Sequence, residues 1–138
     1  MEEGDKMSVV KSKRGQGKLL VYTRANELAV YTITICANEK HFPKRYRWCI
    51  TNKIVECAVT INNCVTAGNS VYIGDGDEDA KKLRRQYQTK ALAETYALLS
   101  MIDIAYRTFG IESSRVEFWT RLVKDVQGLI RSWRKSEK

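Results

Sequence analysis

One proline, Pro43, and one histidine, His41, are all that 138 residues contain of either type. With proline so scarce, long stretches keep every backbone donor that a helix needs. A lone histidine limits imidazole chemistry to one position. The four cysteines, Cys36, Cys49, Cys57 and Cys64, include no C-x2-C pair, so a structural zinc site has no framework. They read instead as small apolar core residues kept reduced, with Cys57 and Cys64 one heptad apart. No apolar run approaches the ~20 residues that cross a bilayer. The opening "MEEGDKMSVVKSKRGQGK" has no apolar h-region. We therefore expect a cytoplasmic protein without a membrane partner. A Gly-rich phosphate loop is also missing, because "GQGK" lacks the helix-opening pattern that would follow one.

What the chain does have is positive charge: 24 Lys and Arg against 16 Asp and Glu, a net +8. Such an excess favours a polyanionic partner, nucleic acid first. The apolar content of 43% is enough for a core.

Hydrophobic spacing predicts four helices, at about 18–40, 44–68, 79–108 and 113–135, in one domain over 17–138 after a mobile basic tail, 1–16. In the first, Val21, Leu28, Tyr31 and Ile35 share a face, although "VYTITIC" alone could be a strand. Phe42-Pro43 ends it, and Pro43 opens the second. There Ile50, Ile54, Cys57, Ala58, Ile61, Cys64 and Val65 form a stripe, with the helix expected to end near Gly68. In the third, Leu83, Tyr87, Ala91, Leu98, Ile102, Ala105 and Phe109 mark the main face. Leu92, Leu99 and Tyr106 mark a second strip beside it, which suits either a bundle centre or a neighbouring copy. Gly110 reads as a C-cap and Ser113 or Ser114 as an N-cap. In the fourth, Val116, Trp119, Val123, Val126, Ile130 and Trp133 alternate at 3 and 4. Short loops between amphipathic helices make an all-α, antiparallel up-down four-helix bundle the expected fold.

Catalytic motifs are sparse. "GDGDED" has the D-x-D-x-D start of a calcium loop, but Ala80 and Gln86 stand where glycine and glutamate belong. Those acids are expected to cap the third helix. His41 and Cys49 could form a base–nucleophile pair, yet no third residue orients them. We expect no enzyme, no cofactor and no metal.

The cations fall into three groups. Lys44, Arg45 and Arg47 are interleaved with Tyr46 and Trp48, with Lys53 further on. Cations grip phosphates and aromatics stack on unpaired bases, while the alternative has both aromatics packed on the bundle end. Positive charge at a helix start opposes the dipole, so function is the better reason for it. Lys81, Lys82, Arg84 and Arg85 make the second group, and Arg131, Arg134 and Lys135 the third. All eleven are candidate nucleic-acid contacts. In an up-down bundle the first two groups start from opposite ends.

"FPKRYRWCITNKI" resembles the segment between helices one and two of a family of small four-helix-bundle proteins. That family includes the accessory variability determinant of diversity-generating retroelements and the proteins of 23S rRNA intervening sequences. "QYQTKALAETYALLSMIDIAYRTFGI", "ESSRVEFW" and "LVKDVQGLIRSWRKS" resemble the retroelement branch, the last through Gly128, Trp133, Arg134 and Lys135. The likeness spans roughly residues 18 to 136. It implies a basic, barrel-shaped homopentamer that binds template-repeat RNA, with DNA as a second candidate, and an error-prone reverse transcriptase. Its role there is to support mutagenic cDNA synthesis without catalytic residues of its own. The acidic "GDGDED" loop and the long basic start depart from the pattern. The nearest alternative is an intervening-sequence-type scaffold or a protein–protein adaptor without RNA function.

Overall fold

A computed structural model describes residues 6–137, with side chains from residue 17 onward. Four long helices account for nearly all of it: α1 (Lys6–Cys36), α2 (Asn52–Ser70), α3 (Glu78–Phe109) and α4 (Ser113–Ser136). No strand occurs among the described residues, so "VYTITIC" is helical. Each helix packs on two others, α1 on α2 and α4, and α3 on α2 and α4. The arrangement is a four-helix bundle.

The buried positions step by 3 and 4 as a single apolar face requires. In α1 they include Val21, Ala25, Leu28, Thr32 and Ile35, and in α4 Trp119, Val123, Val126, Ile130 and Trp133. Trp119 is completely buried, and its indole N–H donates to Thr32 Oγ1 at 3.0 Å. Around it Phe42 meets Phe109 edge-on at 5.5 Å and Trp119 at 6.0 Å, which closes one end of the bundle. Asp77 caps α3 by accepting the Ala80 N–H at 3.0 Å, with Glu78 and Asp79 on the positive end of the dipole. Gly110 ends α3 at φ 67°, a left-handed conformation that glycine adopts without strain.

Several expectations need correction. The stretch expected to be a tail is helical from Lys6, and its first five residues lie outside the described ones. No proline interrupts residues 6–36, and Gly15 and Gly17 cost only about 1 kcal/mol each. Helix α1 stops at Cys36, before Phe42-Pro43. The chain then enters a 3₁₀ turn at Lys44–Tyr46 and a wider π turn at Arg47–Thr51 before α2 proper. Helix α2 ends at Ser70, near Gly68 as expected, but Gly68 serves packing rather than termination: it is buried, and a Cβ there would lie 3.0 Å from Trp133 Cη2, so its smallness admits the indole. In α3 the buried row is Arg84, Gln88, Ala91, Thr95, Leu98, Ile102 and Ala105, while Leu83 is 43% exposed. Leu92, Leu99 and Tyr106 pack against the core. Glu112, not a serine, precedes α4, and no side chain caps that helix. Cys49 is exposed, unlike Cys36, Cys57 and Cys64.

Candidate nucleic-acid interface

Two of the three cation groups meet. The start of α3 lies against the end of α4, and Arg85, Arg131, Arg134 and Lys135 line one open cleft of about 340 Å³. On the α3 side the cleft continues along Lys82, Arg85, Gln86, Thr89 and Lys90. Those residues recur every three or four positions, so they share one helix face. Two bonds tie α4 to α3 across the cleft. Arg134 donates to Thr89 Oγ1 at 3.4 Å. Arg131 donates to the Tyr96 hydroxyl and lies over its ring, 5.6 Å from the centroid. Tyr96, Thr89 and Lys90 were missed as site residues, although their spacing from Lys82 was there to be counted.

Among the described residues, Lys82, Arg85, Lys90, Arg131, Arg134 and Lys135 have no carboxylate partner. Arg85, Arg131, Arg134 and Lys135 crowd one cleft and repel one another, while Glu78 and Glu137 line the adjoining hollow beside Lys82 and Arg85. A polyanion entering the cleft would relieve that repulsion and release its own counterions.

Arg84 does not belong to this surface. It is 8% exposed, donating to Gly68 O at 3.1 Å and to Val71 O, with Glu137 Oε2 2.6 Å away. Its guanidinium satisfies the carbonyls at the end of α2, so it is a strut rather than a phosphate contact. Lys81 pairs with Glu78 at 3.4 Å, and both line the hollow beside Lys82 and Arg85.

The first group occupies the far end. Tyr46 packs on Phe109 at 5.1 Å, and Arg45 lies over the Tyr46 ring at 5.8 Å. Phe109 is 24 residues from Arg85 on α3, about 36 Å along the axis. Lys44 and Arg47 line a separate pocket at the corner between α1 and α2. Trp48 is 80% exposed, so of the two interleaved aromatics one packs and one does not. Lys53 stands exposed on the first turn of α2.

Of the four thiols, Cys49 is exposed and the other three are buried. Cys49 Sγ donates to Tyr46 O at 3.4 Å, a contact within its own turn. Burial pushes the Cys36 thiol up to about 12. Burial, aided by a 3.2 Å hydrogen bond to the Glu94 carboxylate, does the same to Cys57. Both stay protonated at neutral pH and act as apolar surface.

The fold and the cleft together define a class: a basic four-helix bundle with a cation-lined cleft. No family model, curated protein or solved structure matches the chain.

Proposed function

We propose that the protein is a non-catalytic RNA-binding accessory subunit of the kind that serves a diversity-generating retroelement. The observation that carries the nucleic-acid part is the cleft, where Arg85 meets Arg131, Arg134 and Lys135 from far along the sequence, none of them ion-paired among the described residues. The retroelement part rests on the resemblance of residues 18–136. On this reading the bundle is antiparallel and up-down, assembles as a homopentamer, and holds template-repeat RNA beside the reverse transcriptase. Guanidinium and ammonium groups contact phosphates, so affinity is high at low salt and carries little base preference.

The test is the triple change Arg85→Ala, Arg131→Ala, Arg134→Ala, followed by RNA titrations at several salt concentrations. Three lost single-strand contacts should lower the log–log salt slope by roughly 2, with weaker binding and unchanged helicity. Unaltered affinity and slope would assign this charge to solubility and favour the adaptor reading.

A further inference from the structure

We propose that the corner pocket between α1 and α2 receives one unpaired nucleobase and makes the protein select single-stranded over double-stranded RNA. This rests on the nucleic-acid reading above and adds a discriminating element that the phosphate cleft lacks.

The pocket has a volume of about 220 Å³, below the ~300–1,000 Å³ of drug-sized sites. That is room for one heterocycle rather than a whole cofactor. Its lining divides by burial. Phe42 and Cys36 are buried and apolar, whereas Lys44, Arg47 and Glu39 are exposed and charged. A flat apolar ring suits the inside, and a ribose phosphate suits the cations at the rim. Neither Lys44 nor Arg47 has an ion-pair partner among the described residues.

Three further features favour a nucleotide over a bare anion. The Glu39 carboxylate would repel a free phosphate but can accept from the N–H groups on a base edge. Asn52 in the same wall offers both a donor and an acceptor. Thr51, 8% exposed, lines the pocket with its Oγ1 buried and without a partner among the described residues. Arg47 and Thr51 belong to the π turn Arg47–Thr51, a wide-turn geometry that recurs at functional sites. Trp48, next in the chain to Arg47, presents an indole on which the neighbouring base can stack. A duplex keeps its bases paired and stacked, so it can offer none to the pocket.

The indoles make the test direct, because Trp119 and Trp133 are 0% and 5% exposed and Trp48 is the one open to ligand. The full chain is titrated at one salt concentration with a single-stranded RNA of about twelve nucleotides. Its duplex and an abasic ribose-phosphate strand of equal length are titrated in parallel. The single strand should quench indole emission and bind about tenfold tighter than the duplex. The abasic strand should bind through the cleft without quenching. Trp48→Phe should abolish the quench. Asn52→Ala with Glu39→Gln should weaken the single strand alone. Binding without quenching, or equal quenching by the abasic strand, overturns the pocket and leaves the cleft standing. Emission that tracks protein concentration instead of RNA places Trp48 between copies and also overturns it. If no strand binds at all, the nucleic-acid reading fails and the pocket with it.

Discussion

Where α2 ends, the Arg84 guanidinium donates to Gly68 O, which also accepts the Val71 N–H, and to Val71 O just past the helix, while pairing with Glu137. Its neighbour Arg85 faces the cleft. The two should respond very differently to truncation. Arg84→Ala takes the donor from Val71 O and the partner from Glu137, while Gly68 O keeps the Val71 N–H, and should cost about 1–3 kcal/mol, discounted because Glu137 can still reach water. Arg85→Ala should stay within about 0.5 kcal/mol. Urea unfolding of both variants checks this, and equal losses would contradict the strut. The distinction was partly legible. Counting back by heptads from Leu98 through Ala91 lands on Arg84, not on Leu83. An arginine on a buried face is rare enough that the leucine drew the reading instead. The acceptors that make its burial tolerable lie 13 to 53 residues away, where no local pattern reveals them.

Among the elements, α4 was the most legible, because an unbroken 3–4 alternation admits one phase only. Glycine was the least. Gly68 and Gly128 look alike in sequence, yet Gly68 is packed against Trp133 and Tyr87 while nothing lies within 4 Å of a Cβ at Gly128. Gly128→Ala should therefore stabilise the protein by about 1 kcal/mol through helix propensity alone. Gly68→Ala gains the same propensity but crowds a buried indole, for a net loss of about 1 kcal/mol. Denaturation midpoints decide it, and equal stabilisation by both would mean the α2–α4 approach is looser than described. The π turn before α2 had no signal at all in "RWCIT". Widening a turn answers to what packs beneath it, not to propensity.

For the whole molecule, net charge was legible and its focus was not. Which cations share a surface depends on how α3 and α4 are rotated, and composition carries no such information. Surplus apolar surface moved as well. The second strip of α3 packs inward, whereas Leu19, Tyr22, Val30 and Ile33 leave an exposed row on one face of α1. Such a row fits contact between copies. Light scattering should report a multimer, reduced to monomer by Val30→Lys with Ile33→Lys at unchanged helicity, and a monomeric unmodified protein at micromolar concentration would exclude this interface. The Arg84–Glu137 pair also has a consequence in time. Its partners are 53 residues apart. At the usual ~5–20 residues per second of synthesis, Arg84 waits roughly 3–10 s for its carboxylate. In that interval the rest of α3 and all of α4 are made, so the strut forms only after every helix of the bundle has been synthesised.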